Sequence, residues 1–185
     1  MSPPRSERRP IISLSTTAAG ERAAAAAIAA QIPADGFTAL FCTTHYDLGR
    51  LGRALKALGR TRVVAATTGR AIGREGFISE GVTGFHLPGG RFKVADALIE
   101  STANFGLPDA RSLVRRLRAR MERGRDASLP HLFGMLLVDA APRGEERLIA
   151  ILGTELGGVP IAGGSAGDVR EPAGDHRAAG ARDRL

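Results

Sequence analysis

RVVAATTGRAIGREGFISEGVTGFHL, the stretch from Arg62 to Leu87, decides how the rest of the chain reads. It opens on Val63-Val64, passes through Ala65 and Ala66 into Thr67-Thr68-Gly69, and closes on the alternating run Val82-Thr83-Gly84-Phe85-His86-Leu87. β-Branched and small residues bounded by a polar glycine turn predict strand, turn, strand. A buried strand ending in hydroxylated residues and glycine sets N–H groups and hydroxyls at a sheet edge, where α/β proteins hold ligands. A second such end is Val159-Pro160-Ile161-Ala162, running into Gly163-Gly164-Ser165-Ala166-Gly167-Asp168. The two strand ends are expected to line one small-molecule site.

Immediately upstream, Phe37 to Cys42 (FTALFC) is nearly continuously apolar, as a central strand buried on both faces requires. Asp47 is placed to cap a helix in which Leu48, Leu51, Leu55 and Leu58 recur on one face while Arg50, Arg53, Lys56 and Arg60 face water, and Gly59 closes it. Strand, helix and the Val63 strand together make a parallel βαβ unit. Further upstream, Ile11 to Ser15 predicts a short strand. Thr16 and Thr17 then cap an alanine-rich helix over 18–31, which Pro33 and Gly36 end.

Downstream, Phe77 to Leu87 suits one or two antiparallel strands, and Pro88-Gly89-Gly90 a turn. Phe92 to Ala103 is read as a strand followed by irregular chain. Pro108 sits in the first turn of a helix whose stripe is Leu113, Val114, Leu117 and Met121, ending at Gly124. Phe133 to Asp139 predicts a second buried strand, Pro142 to Leu152 a helix with Leu148, Ile149 and Leu152 inward, and Val159 to Ala162 a strand feeding a glycine loop. The fold class is α/β, a mixed β-sheet with flanking helices. Residues 1–10, rich in Pro, Ser and Arg, form a mobile arm, residues 11–168 the folded domain, and residues 169–185, with only Val169 and Leu185 as large aliphatics, a disordered tail.

A chain of 185 residues with 43% hydrophobic content buries a real core, built from aliphatics and alanine because aromatics are only 4%. The net charge of +7 raises nucleic acid as an alternative partner, through the arginine-rich helix at 109–125. Its seven arginines from Arg111 to Arg125 lie mostly off the apolar stripe, and no aromatics are interleaved with them, so a solvated face is the preferred reading. The single cysteine, Cys42, excludes an internal disulfide and fits a reducing compartment. With no signal-peptide pattern and no apolar run long enough for a membrane span, the expected location is cytoplasmic.

Cys42 and His45 invite a thiol nucleophile and base, but only Asp47 offers an orienting carboxylate, and a lone cysteine ending an apolar strand is ordinarily core. No enzyme is expected. His45, His86, His131 and His176 share no metal-binding spacing; a single axial histidine for haem needs none, which makes His45 and His86 the candidates there. The Gly163-to-Gly167 loop lacks the Walker and dinucleotide spacings, and its N–H groups would serve a carboxylate or amide as well as a phosphate. With hydroxyls from Thr67, Thr68 and Ser165, a small polar metabolite is favoured. A bulky residue at Gly164 is expected to abolish ligand binding while sparing the fold.

Ala39-Leu40-Phe41-Cys42-Thr43-Thr44-His45-Tyr46-Asp47, Val63 to Gly76, Gly134 to Asp139, and Val159 to Asp168 with its GGSAGD ending follow one another in an order that resembles the N-terminal part of the FIST domain, the sensory module of F-box and intracellular signal-transduction proteins. The resemblance covers about Ile12 to Asp168 and implies a small-molecule sensor for amino acids, in some members haem, working with a histidine kinase, a cyclic-dinucleotide enzyme or a chemotaxis receptor. It departs from the family where Gly69 is followed by Arg70 and Ala71, and the family's second half is expected to be missing. The ligand-binding set carried forward is His45, Thr67, Thr68, Gly69, Gly163, Gly164, Ser165 and Asp168.

Overall fold

A computed structural model describes residues 11–74, 76–122, 131–139, 144–167 and, in backbone only, 178–180. In chain order the elements are β1 (Ile12–Thr16), α1 (Glu21–Gln31), β2 (Phe37–Thr43), α2 (Leu48–Ala57), β3 (Val63–Thr68), β4 (Ala71–Gly73), β5 (Gly76–Ile78), β6 (Val82–Leu87), α3 (Leu107–Glu122), β7 (Gly134–Asp139), α4 (Glu145–Leu156), β8 (Ile161–Ala166) and β9 (Ala178–Gly180). They fall into two compact units, one taking in Met1–Phe92 and Asp168–Leu185, the other Lys93–Gly167.

The first unit is a mixed five-stranded sheet in the order β1-β6-β2-β3-β9. β2 is central, as its apolar run predicts; it runs parallel to β3 and antiparallel to β6, and β6 is antiparallel to β1. β1, β2 and β3 therefore point the same way and bring their carboxyl ends to one edge. One face of the sheet carries Leu14, Leu40, Cys42, Val63 and Val82, which pack with Ala24, Ala25 and Ile28 of α1 and Leu51 and Leu55 of α2. The alanines let α1 lie close to the strands. Asp47 caps α2 as expected, its Oδ1 accepting from the Arg50 N–H at 2.7 Å.

Four local expectations change. α1 starts at Glu21 with Gly20 as N-cap (φ +80°). Thr16 Oγ1 instead accepts from the Ala18 N–H, and the Tyr46 hydroxyl donates to the Ala18 carbonyl at 2.8 Å, which commits those residues to a turn. Arg60 does not simply face water. Its guanidinium donates to the Ala29 and Ile32 carbonyls at 2.9 and 3.1 Å, satisfying groups that the end of α1 leaves open. Leu58, expected inward, is the C-cap of α2 and is 44% exposed. Between β3 and β6 the chain inserts the β4–β5 hairpin, in which Ala71 is buried and Gly76 takes φ +115°. Of residues 169–185, only 178–180 are described, and they pair antiparallel with β3.

In the second unit β7 and β8 pair in parallel, and α3 and α4 enclose a core of Ala110, Leu113, Val138, Leu148 and Leu152, with Ile99 and Phe105 against it. Asp109 Oδ2 accepts from the Gly106 N–H at the start of α3. The strand expected within 92–103 is absent; Ile99 instead supplies packing to this core, which requires no ladder. β7 is buried only at Val138, Phe133 before it is 60% exposed, and Ile149 faces outward at 43% exposure. The glycine loop is also a correction. Gly163, Gly164 and Ser165 lie within β8, opposite Leu136, Leu137 and Val138 of β7.

Candidate functional site

The first unit gathers its polar strand ends at the carboxyl edge of β1, β2 and β3. Register places Cys42 beside Thr67 and Thr43 beside Thr68. Thr43 is fully buried: its Oγ1 donates to the Gly81 carbonyl at 3.2 Å and accepts from the Gly81 N–H at 3.0 Å, tying the end of β2 to the start of β6. Thr68 Oγ1 donates to the Arg70 carbonyl at 2.8 Å and so closes the turn around Gly69. His45, on the loop after β2, holds Glu80 at 3.3 Å across both exposed side chains.

Thr67 differs from these. Its side chain lies on the helix-covered face with Cys42, and its buried Oγ1 has no hydrogen-bond partner among the described residues. A buried hydroxyl left unpaired costs about 1–3 kcal/mol, which sets Thr67 apart from the other hydroxyls of this edge. His45, Thr67, Thr68 and Gly69 thus come from one sheet edge. Gly163, Gly164 and Ser165 lie in the second unit, and Asp168 lies outside the described residues.

A family profile, the FIST N domain, matches residues 36–179. The chain belongs to the FIST family. FIST N domains are sensory domains of signal transduction. No curated protein and no solved structure matches the chain.

The rest of the FIST edge is a frame that residue types alone did not reveal. Glu21, first in α1, accepts from the Asp47 N–H at 3.1 Å and so links the starts of α1 and α2. Hydrogen bonds from its own N–H and that of Asp47 hold its carboxyl below the ordinary value. Asp47 is held low in turn, chiefly by the Arg50 N–H. Burial raises the Tyr46 hydroxyl above its usual range. The one legible signal for this frame was Asp47 as a cap; Thr43, Glu21 and Glu80 act through long-range contacts that no spacing encodes.

Cys42 is a core residue of this FIST domain. It is fully buried, and burial pushes its thiol up to about 12, so a thiolate is not available as a nucleophile near neutral pH. Among the described residues, no group of three or more His, Cys, Asp and Glu side chains could hold a metal ion. No described helix is long and apolar enough to cross a membrane.

Four arginines of α3 are engaged. Arg111 pairs with Glu155 at 3.2 Å, Arg116 donates to Ser112, Arg118 to the Leu156 carbonyl and Arg120 to the Asp96 carbonyl. Arg111 and Arg118 tie α3 to α4, Arg120 ties it to the preceding chain, and the Arg116 bond stays within the helix. Ser165 Oγ donates to Glu145 at 2.6 Å, joining β8 to the start of α4.

His86 lies on the core face of the FIST sheet, 1% exposed, its Nδ1 2.9 Å from Thr38 Oγ1 and its Nε2 beside Gly36 and the Asp35 main chain. Burial lowers its pKa below the ordinary 6.5, with Arg60 acting in the same direction and the Asp35 main chain and carboxylate opposing. The unfolded chain therefore binds this proton more readily than the folded one, and stability present above about pH 6.5 falls as the pH drops through the folded value. Urea titrations followed by circular dichroism are expected to give a lower midpoint at about pH 5 than at pH 7, with a smaller drop in His86→Leu. An identical drop in both proteins would remove His86 as the cause.

Proposed function

We propose that this FIST domain senses a small polar metabolite of the amino-acid type at the carboxyl edge of β2 and β3, with the Thr67 hydroxyl as anchor. The observation that carries this reading is the buried Thr67 Oγ1 without a partner among the described residues, set between neighbours whose hydroxyls are already committed to main-chain groups. An edge whose other polar atoms are fixed offers one preorganised hydrogen bond to a polar ligand, and the Thr68-Gly69 turn and His45 stand beside it. Gly163, Gly164, Ser165 and Asp168 carry no part of the proposal.

Haem fits poorly. His45 is held by Glu80, and His86 is buried against Gly36. The engaged arginines of α3 likewise weigh against a nucleic-acid groove. The signal would pass to a separate signalling protein of the kinase, cyclic-dinucleotide or chemotaxis class, since the reading involves binding and no chemistry.

The test is a circular-dichroism thermal melt with each proteinogenic amino acid, on the wild type and on Thr67→Val. A ligand that prefers the folded state stabilises it by about 2.7 kcal/mol at a hundredfold excess over Kd. One amino acid is expected to raise the wild-type melting temperature. Thr67→Val is expected to melt higher without ligand, because an unpaired buried hydroxyl is gone, and to lose the ligand-linked rise. An equal rise in the variant, or none with any amino acid in the wild type, would overturn the reading.

A further inference from the structure

We propose that the outer edge of β1 is a docking strand for an extended acidic peptide segment of a partner protein. β1 is the edge strand of the five-stranded sheet, bonded on one side to β6. In an antiparallel ladder alternate residues turn their N–H and C=O toward the neighbour and away from it. Ser15 turns outward, and there the Gln31 side chain meets both groups. Its Oε1 accepts from the Ser15 N–H at 3.3 Å, and its Nε2 donates to the Ser15 carbonyl at 3.1 Å. A carboxamide is chemically a peptide group without its chain, and Gln31 occupies the place that the next strand's peptide group would take.

Ser13, two residues along, turns the same way, is exposed, and has no such cover among the described residues. Ile12, Ser13, Ser15, Gln31 and Arg74 line an open cleft of about 290 Å³ along this edge. Its lining includes no acidic residue, and the exposed Arg74 guanidinium has no partner among the described residues. The Arg74 guanidinium on this cleft favours an acidic segment over a basic one. Strand addition supplies affinity through main-chain hydrogen bonds and specificity through side chains on alternate positions. A docked segment replaces the two Gln31 bonds with equivalent ones and gains those at Ser13, so Gln31 acts as a displaceable cover.

The probe is a fluorescein-labelled acetyl-(Glu-Val)3 amide read by anisotropy against the full chain, with the (Lys-Val)3 analogue alongside. Saturable binding of the acidic peptide is expected. Gln31→Ala, which removes the internal competitor, is expected to tighten it about fivefold. Ser13→Pro deletes one outward N–H at an edge position that tolerates proline, and is expected to weaken binding at least about tenfold. Arg74→Glu is expected to shift preference to the lysine peptide. Equal binding of both peptides to the wild type, no binding of either, or an affinity unchanged by Gln31→Ala would overturn the proposal, the last independently of how the proline variant folds. A wild-type dimer in sedimentation that Ser13→Pro dissolves would also overturn it, assigning the edge to a second copy.

Discussion

Gly84→Val is expected to destabilise the five-stranded sheet by about 3 kcal/mol or more, at the upper end of what overpacking costs. Gly84 lies in β6 between Leu14 of β1 and Leu40 of β2, both buried on the helix-covered face. A Cβ built at this position runs into the Ala39 carbonyl oxygen and comes within 3.1 Å of Leu40 Cα. Both obstacles are backbone of the central strand, held by ladders on two sides, so neither can swing away as a flexible side chain would. Valine's high strand propensity, a gain of less than about 1 kcal/mol, is the smaller effect. Urea unfolding followed by circular dichroism measures the loss. A Gly84→Val midpoint equal to that of the wild type would mean that β6 can separate from β2 at little cost.

In the second unit Gly163→Val is expected to lose a comparable amount, about 3 kcal/mol, whereas Gly164→Val stays within about 0.5 kcal/mol of the parent. The contrast follows from position in β8. A Cβ at Gly163 runs into the carbonyl of Leu136, its partner in β7, while a Cβ at Gly164 meets nothing within 4 Å. Amide hydrogen exchange of β7 reads the difference directly: faster exchange from Leu136 to Val138 is expected in the first variant only. Equal protection in both variants would mean that the β7–β8 pairing does not require glycine at 163. The open Cβ direction at Gly164 is the ground for expecting that a bulky residue there spares the fold, while the loss of ligand binding expected of it is not part of the proposed site.

The βαβ unit was legible because each of its parts is a local signal. FTALFC is apolar enough to be buried on both faces, the leucines from Leu48 to Leu55 keep helical spacing, and Asp47 sits one residue before the helix it caps. The β4–β5 hairpin was not legible, since Ala71 to Gly73 has neither alternation nor a characteristic turn pair, and its three residues form a strand only through pairing with β5. The Gly163-Gly164-Ser165 stretch misled for a related reason. Glycine signals a loop when nothing else is known, yet at Gly163 its lack of a side chain serves close strand pairing. In the candidate site the sequence pointed to Thr67, Thr68 and His45 as polar residues at strand ends. It did not distinguish Thr67 from the others, because a free hydroxyl is defined by what surrounds it.

The order of apolar runs, caps and glycine turns by itself determined that this is an α/β chain with parallel β2 and β3, and it carried the FIST resemblance, because hydrophobic periodicity and capping act over a few residues. Tertiary structure alone decided that β6 enters between β1 and β2, that Arg60 closes the end of α1, that Thr43 is spent on Gly81, and that Thr67 keeps a hydroxyl without a partner among the described residues. Hydrogen-bond saturation depends on which backbone groups arrive from residues dozens of positions away, and it is settled only when the chain has closed on itself.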